Sequence, residues 1–538
     1  MKNLLKRIVS VILSFACLIG LTACGSSTNG PSIVDNTVED TTNLKILAFE
    51  RGYGVEMIKE WAKEFEKTKT GVTVTVDVAV EETVMDTKFK LGPKYNDYDI
   101  FFHAYNQPAA LDYSFRKTFE GYEGHGLMDY TEFYNEKVYG EDITVKDKMN
   151  PSALELMQGV DNDGHYYGFP WAMALQSIVV NDTVVSQALG NGYKLPNTTA
   201  ELEDFSIRIK NAGYTPFTYP GLIDYWTPCF FTWWAQYEGL ENYKQFYNGK
   251  VYDEAQEQYV YSADIYKQQG RYEALYVMQE LLDLDKGYHK ASVNDYNAYN
   301  FTVLQKAFMN SSIATSNQNK YAMFPNGDWL ANETGSDATD DIIMMQMPVV
   351  SSIITKCPTI ESDAELSKLI DAIDAGNTAL EGDGYNVNQA DYDRIAEARS
   401  IVYGQTHTHV MYSPVYANAK TLIKEFMAFI ASDEGCRIYN KNVKSQAYTV
   451  KYDGAVADDS FVQSIAVLKN KNIIVKDSTS LLYIAQGVTP RTFNSGYYEA
   501  VLGVSKKSSQ YKTARQIFES EFVSEASFTQ ILNNLGLI

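Results

Sequence analysis

Between Leu44 and His103 the hydrophobic period switches repeatedly between two residues and about three and a half, and this narrows the possible folds more than any other feature. Leu44 to Phe49 reads as a short apolar strand. Gly52-Tyr53-Gly54 reads as a turn, and Val55, Ile58, Trp61, Ala62 and Phe65 recur at helical spacing along a charged segment ending near Lys67. Val72-Thr-Val-Thr-Val-Asp-Val-Ala-Val80 alternates strictly, the mark of a strand with one buried face. A further helix-like segment precedes Tyr98-Asp-Ile-Phe-Phe-His103, another strand. Strands joined through helices at this spacing require right-handed crossovers, so an α/β architecture is predicted, with mostly parallel sheet flanked by helices. Ligands collect at the carboxyl ends of such strands. Here those ends carry Glu50 and Arg51 after the first strand, and His103 and Asn106 at and after the third.

A second informative stretch runs from Asp161 to Asp182. Asp161-Asn-Asp-Gly164 is a turn, because these residues tolerate positive φ and hydrogen-bond their own backbone. Tyr166 to Phe169 reads as extended, Pro170 keeps the preceding residue out of the helical region, and Ser177 to Val180 begins another β-branched run. Two strands joined through Pro-Trp-Ala-Met, with Trp171 at the centre, suit a chain crossing from one lobe to another over a ligand cleft. A plain hairpin with a buried Trp171 is the alternative. Downstream, Thr198-Thr-Ala-Glu201 is a capping box for a helix carrying Leu202, Phe205 and Ile209. Thr215 to Gln236 is rich in aromatics and holds Asp224, Trp226, Trp233 and Trp234, of which at least one Trp must be core. Phe301 to Met309 reads as helix, Tyr321 to Trp329 as a strand and turn, and Ile342 to Val350 as a strand. Helices follow from Ser362, near Asp391 to Val402, and from Ala419 to Ile430.

The N-terminus reads as an address. Lys2, Lys6 and Arg7 precede an apolar run from Ile8 to Leu21, which has the length of a signal-peptide core and falls short of a membrane span. Leu21-Thr-Ala-Cys24 then resembles the bacterial lipoprotein box, which implies removal of residues 1–23 and acylation of Cys24. Two acyl chains anchor durably where one is marginal. Residues 24–43 have nothing with which to build a core and read as a tether. Without the signal, 43 basic residues stand against 68 acidic ones, so nucleic acid and anionic lipid are excluded as partners. Cys229, Cys357 and Cys436 are odd in number and widely spaced, which excludes a disulfide framework and a zinc motif.

Four blocks together resemble the sugar-binding extracellular solute-binding proteins of ABC transporters, the broad family that includes maltose-binding protein. They are Phe65 to Gly71 with the Val-rich strand behind it, Asp163 to Asn181, Ala322 to Trp329, and Ala419 to Gly435. The resemblance implies a two-lobed, type II periplasmic-binding-protein-like fold with hinge-crossing strands, a sugar held between the lobes, and closure on binding. It places lobe 1 at 44–172 and 347–446, and lobe 2 at 173–346 and 447–538. It implies a monomer without cofactor or metal, delivering a carbohydrate, expected to be an oligosaccharide, to membrane permease subunits at the outer face of a Gram-positive bacterial membrane. Glu50 and Arg51 sit where the maltose-binding member has an acidic and basic pair on sugar hydroxyls. Asn106 stands for an acidic ligand and His103 for an aromatic one, departures that argue against maltose. Trp329 matches a Trp that stacks on a sugar ring. Gly487 to Val501, with Arg491, resembles the segment supplying another stacking aromatic, for which Tyr498 is the best match and Tyr497 its neighbour.

The chemistry suits a sugar on its own terms. Aromatic planes such as Trp171, Trp226 and Trp329 cover the apolar faces of pyranose rings, while Glu50, Arg51, Asn106, Asp224 and Asp328 satisfy the hydroxyl rim. Two rival readings keep the scaffold and change the role. A surface glycoside hydrolase needs two carboxylates about 5 to 10 Å apart, which Glu50, Asp224 and Asp328 could supply, though the Arg beside Glu50 would spoil it as an acid. A sensor or adhesin would bind sugar without supporting uptake. His407-Thr-His409 lacks further metal ligands, Asp161-Asn-Asp-Gly164 lacks the later Glu of a calcium loop, and no phosphate loop, dinucleotide fingerprint or nucleophile elbow occurs.

Overall fold

The structure is a computed structural model that describes residues 38–538 apart from 51, 104–107, 119–123, 161–162, 221–224, 290–300, 336–337, 378–385, 405–408, 455–458, 470, 475–479, 481, 483–506, 508, 510 and 521. Two sheets, each with its own apolar core, form two lobes. In the first lobe β1 (Asn43–Phe49), α1 (Glu56–Thr68), β2 (Thr73–Ala79), α2 (Glu82–Lys90) and β3 (Ile100–His103) follow one another as the periodicity predicts. β2 and β3 pair with β1 in parallel on its two sides. The helical stripe of α1 buries Met57, Ile58, Trp61, Ala62 and Phe65, and the Trp61 indole donates to the Gly435 carbonyl at 2.9 Å.

The chain leaves this sheet through β4 (Phe169–Ala172) and enters the second lobe as β5 (Leu175–Asn181), both wholly buried. There it builds α3 (Thr199–Asn211), β6 (Thr215–Phe217), α4 (Thr227–Glu238), α5 (Phe301–Met309), β7 (Tyr321–Gly327), α6 (Leu330–Thr334) and β8 (Ile342–Met345). β5 is the central strand. One edge pairs antiparallel with β7, and the other with β8 toward Asn181 and with β9 (Ile401–Gly404) at Leu175 and Gln176.

Two details differ from the sequence expectations. Both sheets are mixed rather than mostly parallel, because the crossing strands enter against the direction of the βα units: β10 (His409–Tyr412) pairs antiparallel with both β3 and β4. The return to the first lobe also comes later than residue 347. Val349, Ile353, Leu366, Ile370, Ile395 and Tyr403 all belong to the second lobe's core, so the helices α7 (Asp363–Asp374) and α8 (Gln389–Ser400) pack there, and only β10 rejoins the first sheet. α9 (Lys420–Ile430) and α10 (Asp433–Asn442) then cover the first lobe. Ala447, Tyr448 and Val450 stay in that core, beyond the expected boundary at 446, and α11 (Ser460–Lys469) lies back on the second lobe against β8. Among the described residues no helix is long and apolar enough to cross a membrane.

Candidate functional site

The loop after β1 and the turn after β7 meet between the lobes, bringing together Gly52 and Tyr53 from one and Asp328 and Trp329 from the other. The β1 loop can turn this tightly because Gly52 and Gly54 take φ of 52° and 72°. That turn points Tyr53 inward, and its hydroxyl donates to Asp328 Oδ1 at 2.6 Å. Ser445 Oγ donates to the other carboxylate oxygen at 2.9 Å, and the Asp328 N–H donates to the Leu175 carbonyl at 3.0 Å. Asn332 Nδ2, in the first turn of α6, donates to the Gly52 carbonyl at 2.6 Å. Asp328 therefore ties the β1 loop, the entry to β5 and the 443–451 segment to one point.

The electrostatics of this tie follow from its burial. Asp328 is 0% exposed, and loss of water pushes its carboxyl up to about 7, against the pull of the Tyr53 and Ser445 hydrogen bonds and the Lys469 charge. Burial, with the nearby Asp328 charge, also holds the Tyr53 hydroxyl well above its ordinary value, so it remains a donor. The Lys469 ammonium at the end of α11 is held down to about 8 by burial.

Trp329 is half-buried and packs against the first lobe's core. Its ring folds back over Gly327, where a Cβ would fall 2.1 Å from a ring atom, so only glycine admits this orientation. Trp171 lies deeper, 3% exposed, with its ring edge-on to Tyr53 at 6.0 Å and to His409 at 4.9 Å. Its indole N–H has no partner among the described residues.

The other expected residues are placed as follows. Glu50 directly follows β1, with an exposed side chain. His103 is buried at the end of β3 and turned toward α2, with Nδ1 3.2 Å from Glu82 Oε1 and Nε2 3.3 Å from Asp86 Oδ1. Trp226, expected as a stacking plane, is instead 0% exposed in the second lobe's core against Phe217 and Tyr219, where a sugar face cannot reach it. Trp233 and Trp234 are core as well, their indoles donating to the Pro348 carbonyl and to Gln268 Oε1. Arg51, Asn106, Asp224, Arg491, Tyr497, Tyr498 and Cys24 lie outside the described residues. The sequence reading missed Tyr53, Ser445 and Asn332. Only Tyr53 carried a local signal, its place between two glycines.

As chemistry, this arrangement ties the β1 loop, the β7 turn and the 443–451 segment together. Asp328 has the proton affinity of a general acid, but both its oxygens are engaged and neither reaches an open surface. Among the described residues no group of three or more His, Cys, Asp or Glu side chains could hold a metal ion.

No protein-family model matches the chain, and no curated protein does. Solved structures do match over nearly its whole length. A probable secreted solute-binding lipoprotein from Streptomyces coelicolor aligns at a TM-score of 0.57 and 11% identity, covering 90% of this chain and 99% of its own. An ABC substrate-binding protein from Listeria monocytogenes in complex with cycloalternan gives 0.56 and 13%, covering 92% and 100%. The solute-binding protein RafE in complex with raffinose gives 0.54 and 14%, covering 89% and 98%. The chain has the two-lobed fold of these solute-binding proteins.

Proposed function

We propose that this protein is the receptor of an ABC transporter, capturing a carbohydrate between its lobes and handing it to a membrane permease without chemistry. One observation carries the reading: Trp329, an aromatic plane with part of its surface free, sits where the β1 loop of one lobe meets the β7 turn of the other, on the fold of solute-binding proteins. An aromatic plane at a lobe junction suits a ring with apolar faces and a hydroxyl rim. The neighbours in complex with raffinose and cycloalternan support the same ligand class. The Leu21 to Cys24 motif supports anchoring through Cys24 to the outer face of the membrane.

The test is a thermal-shift screen of the purified protein against raffinose, cycloalternan, chitin oligosaccharides and xylo-oligosaccharides, because a ligand that binds only the folded form raises its melting temperature. A saturable rise with one class, lost in Trp329→Ala, is the expected result. Flat curves with every sugar, beside a shift with peptides or polyamines, refute the ligand class. Release of products from a bound oligosaccharide refutes the absence of chemistry. Replacing Cys24 by Ser should free the protein from the membrane fraction into the medium.

A further inference from the structure

A stretch of second-lobe surface that shares no residue with the candidate site holds a cavity of about 170 Å³. It lies between α3 and the helix Gln269–Leu282. That helix sends Ala274, Leu275, Met278 and Leu282 into the lobe's core. Glu273, Tyr276, Val277 and Glu280 recur three and four residues apart, so they share another face. Together with Leu281 and, from α3, Glu203, that face lines the cavity. The mouth is open to water: Tyr276 is 46% exposed, and Ala200 at its edge is exposed too.

The lining carries three carboxylates, Glu203, Glu273 and Glu280, and no basic side chain. Lys286 donates to Glu203 Oε1 at 2.5 Å and to Glu280 Oε2 at 2.6 Å, which offsets one of the three charges. Glu273 accepts from a neutral donor, Gln269 Nε2 at 2.7 Å, and makes no ion pair among the described residues. Its charge also acts on Lys356, but that ammonium lies over the Tyr237 ring and 3.6 Å from Glu238, which answers it. The cavity is thus left with a net negative charge beside the apolar surface of Val277 and Leu281.

Size and charge together select the occupant. Pockets that enclose a free small molecule run to roughly 300–1,000 Å³, and this one falls short of that while leaving room for a single side chain. An apolar floor under a carboxylate rim suits a side chain with a methylene stem and a cationic head. Arginine meets it best, because its planar guanidinium has five donors to share among carboxylates on different walls, and arginines anchored in pockets are frequent hot spots of protein interfaces. A second copy of this chain is a poor donor of that arginine: with 43 basic against 68 acidic residues after the signal, two copies repel. We propose that this cavity is a docking point on the second lobe that takes an arginine side chain from a different, basic-faced protein. The partner's identity rests on the receptor reading, which makes it a subunit of the membrane permease.

The probe is the peptide acetyl-Gly-Arg-Gly-amide, with the citrulline peptide of the same shape as its neutral control, each titrated against the full chain by saturation-transfer NMR. The arginine peptide should bind saturably and the citrulline peptide about fivefold more weakly, the upper worth of a part-exposed ion pair. Glu273→Gln keeps an acceptor for Gln269 and removes the charge, while Tyr276→Ala trims an exposed part of the wall. Each should weaken the arginine peptide by a similar factor and leave the melting temperature and sugar affinity at parental values. In cells of the source bacterium whose own copy is deleted, uptake of the sugar that the parent binds should fall with Glu273→Gln. Equal binding of the two peptides, or parental binding of the arginine peptide by both folded variants, overturns the docking point whatever the sugar screen shows. Selective arginine binding beside parental uptake by Glu273→Gln overturns the permease as the partner. Selective arginine binding beside a flat sugar screen supports the docking point and overturns the receptor reading.

Discussion

Replacing Asp328 by Asn should remove a pH dependence of stability that runs opposite to that of an ordinary paired carboxylate. Asp328 sits at about 7 in the folded protein against an ordinary 3.8, so the folded form keeps a proton that the unfolded chain releases between those values. Where the folded state binds more protons, stability falls as pH rises. The contribution is therefore intact below about pH 4, declines through the window, and is fully lost above about pH 7. The shift corresponds to about 4 kcal/mol, a large share of the roughly 5–15 kcal/mol that holds a domain folded. An Asn side chain fits the same place: its oxygen can accept from Tyr53 and its nitrogen can donate to Ser445 Oγ, without a charge to desolvate. Urea unfolding of both proteins at intervals from pH 4 to pH 8 separates this site from every other titrating group, since only the difference between the curves is read. The parent should lose stability relative to Asp328→Asn across the window, ending below it at pH 8. Parallel curves, or a parent that gains on the variant with rising pH, would refute the assignment of a buried, proton-holding carboxyl at this junction.

Two further perturbations probe the same region and the cores beneath it. Gly327→Ala drives a methyl into the Trp329 ring and should destabilise the protein by about 1–3 kcal/mol, while adding Trp329→Ala should recover part of that loss. A double-mutant cycle by denaturant unfolding reads the coupling, and strict additivity would show that the ring does not lie over Gly327. Burial pushes the Cys357 and Cys436 thiols up to about 11 and about 12, and Cys229 well above its ordinary value. All three should resist iodoacetamide in the folded protein and react once it is unfolded in urea, as read by peptide mass spectrometry; labelling of any of them before unfolding would contradict its burial.

Much of the first lobe was legible because its signals are local. Val55 to Phe65 declares a helix through its own stripe, and the alternation from Val72 declares a strand, wherever either packs. What the pattern does not carry is the partner. The apolar run from Ile342 to Val350 could have joined either sheet, and only its pairing with β5 shows that the chain remains in the second lobe through Tyr403. The same gap explains the aromatic segment. α4 is buried on every side, so Trp226, Trp233 and Trp234 share no polar-opposed stripe by which core could be told from cleft.

The candidate site shows where local reading stops. Gly52-Tyr53-Gly54 and Asn326-Gly-Asp-Trp329 both announce turns at strand ends, the right places for a ligand, and the fold brings the two together across 275 residues of chain from Tyr53 to Asp328. An acid beside a Trp at a strand end suits a sugar contact. Whether that acid faces a ligand or the other lobe depends on which donors reach it first. The donors here are Tyr53 and Ser445, and the second stands 117 residues away in a stretch with no motif of its own. With both oxygens taken, Asp328 would act on the proposed sugar only through the position of the turn it holds. Trp329 stands next to it in sequence, so a change at Asp328 should reach affinity by moving that neighbour rather than by removing a contact.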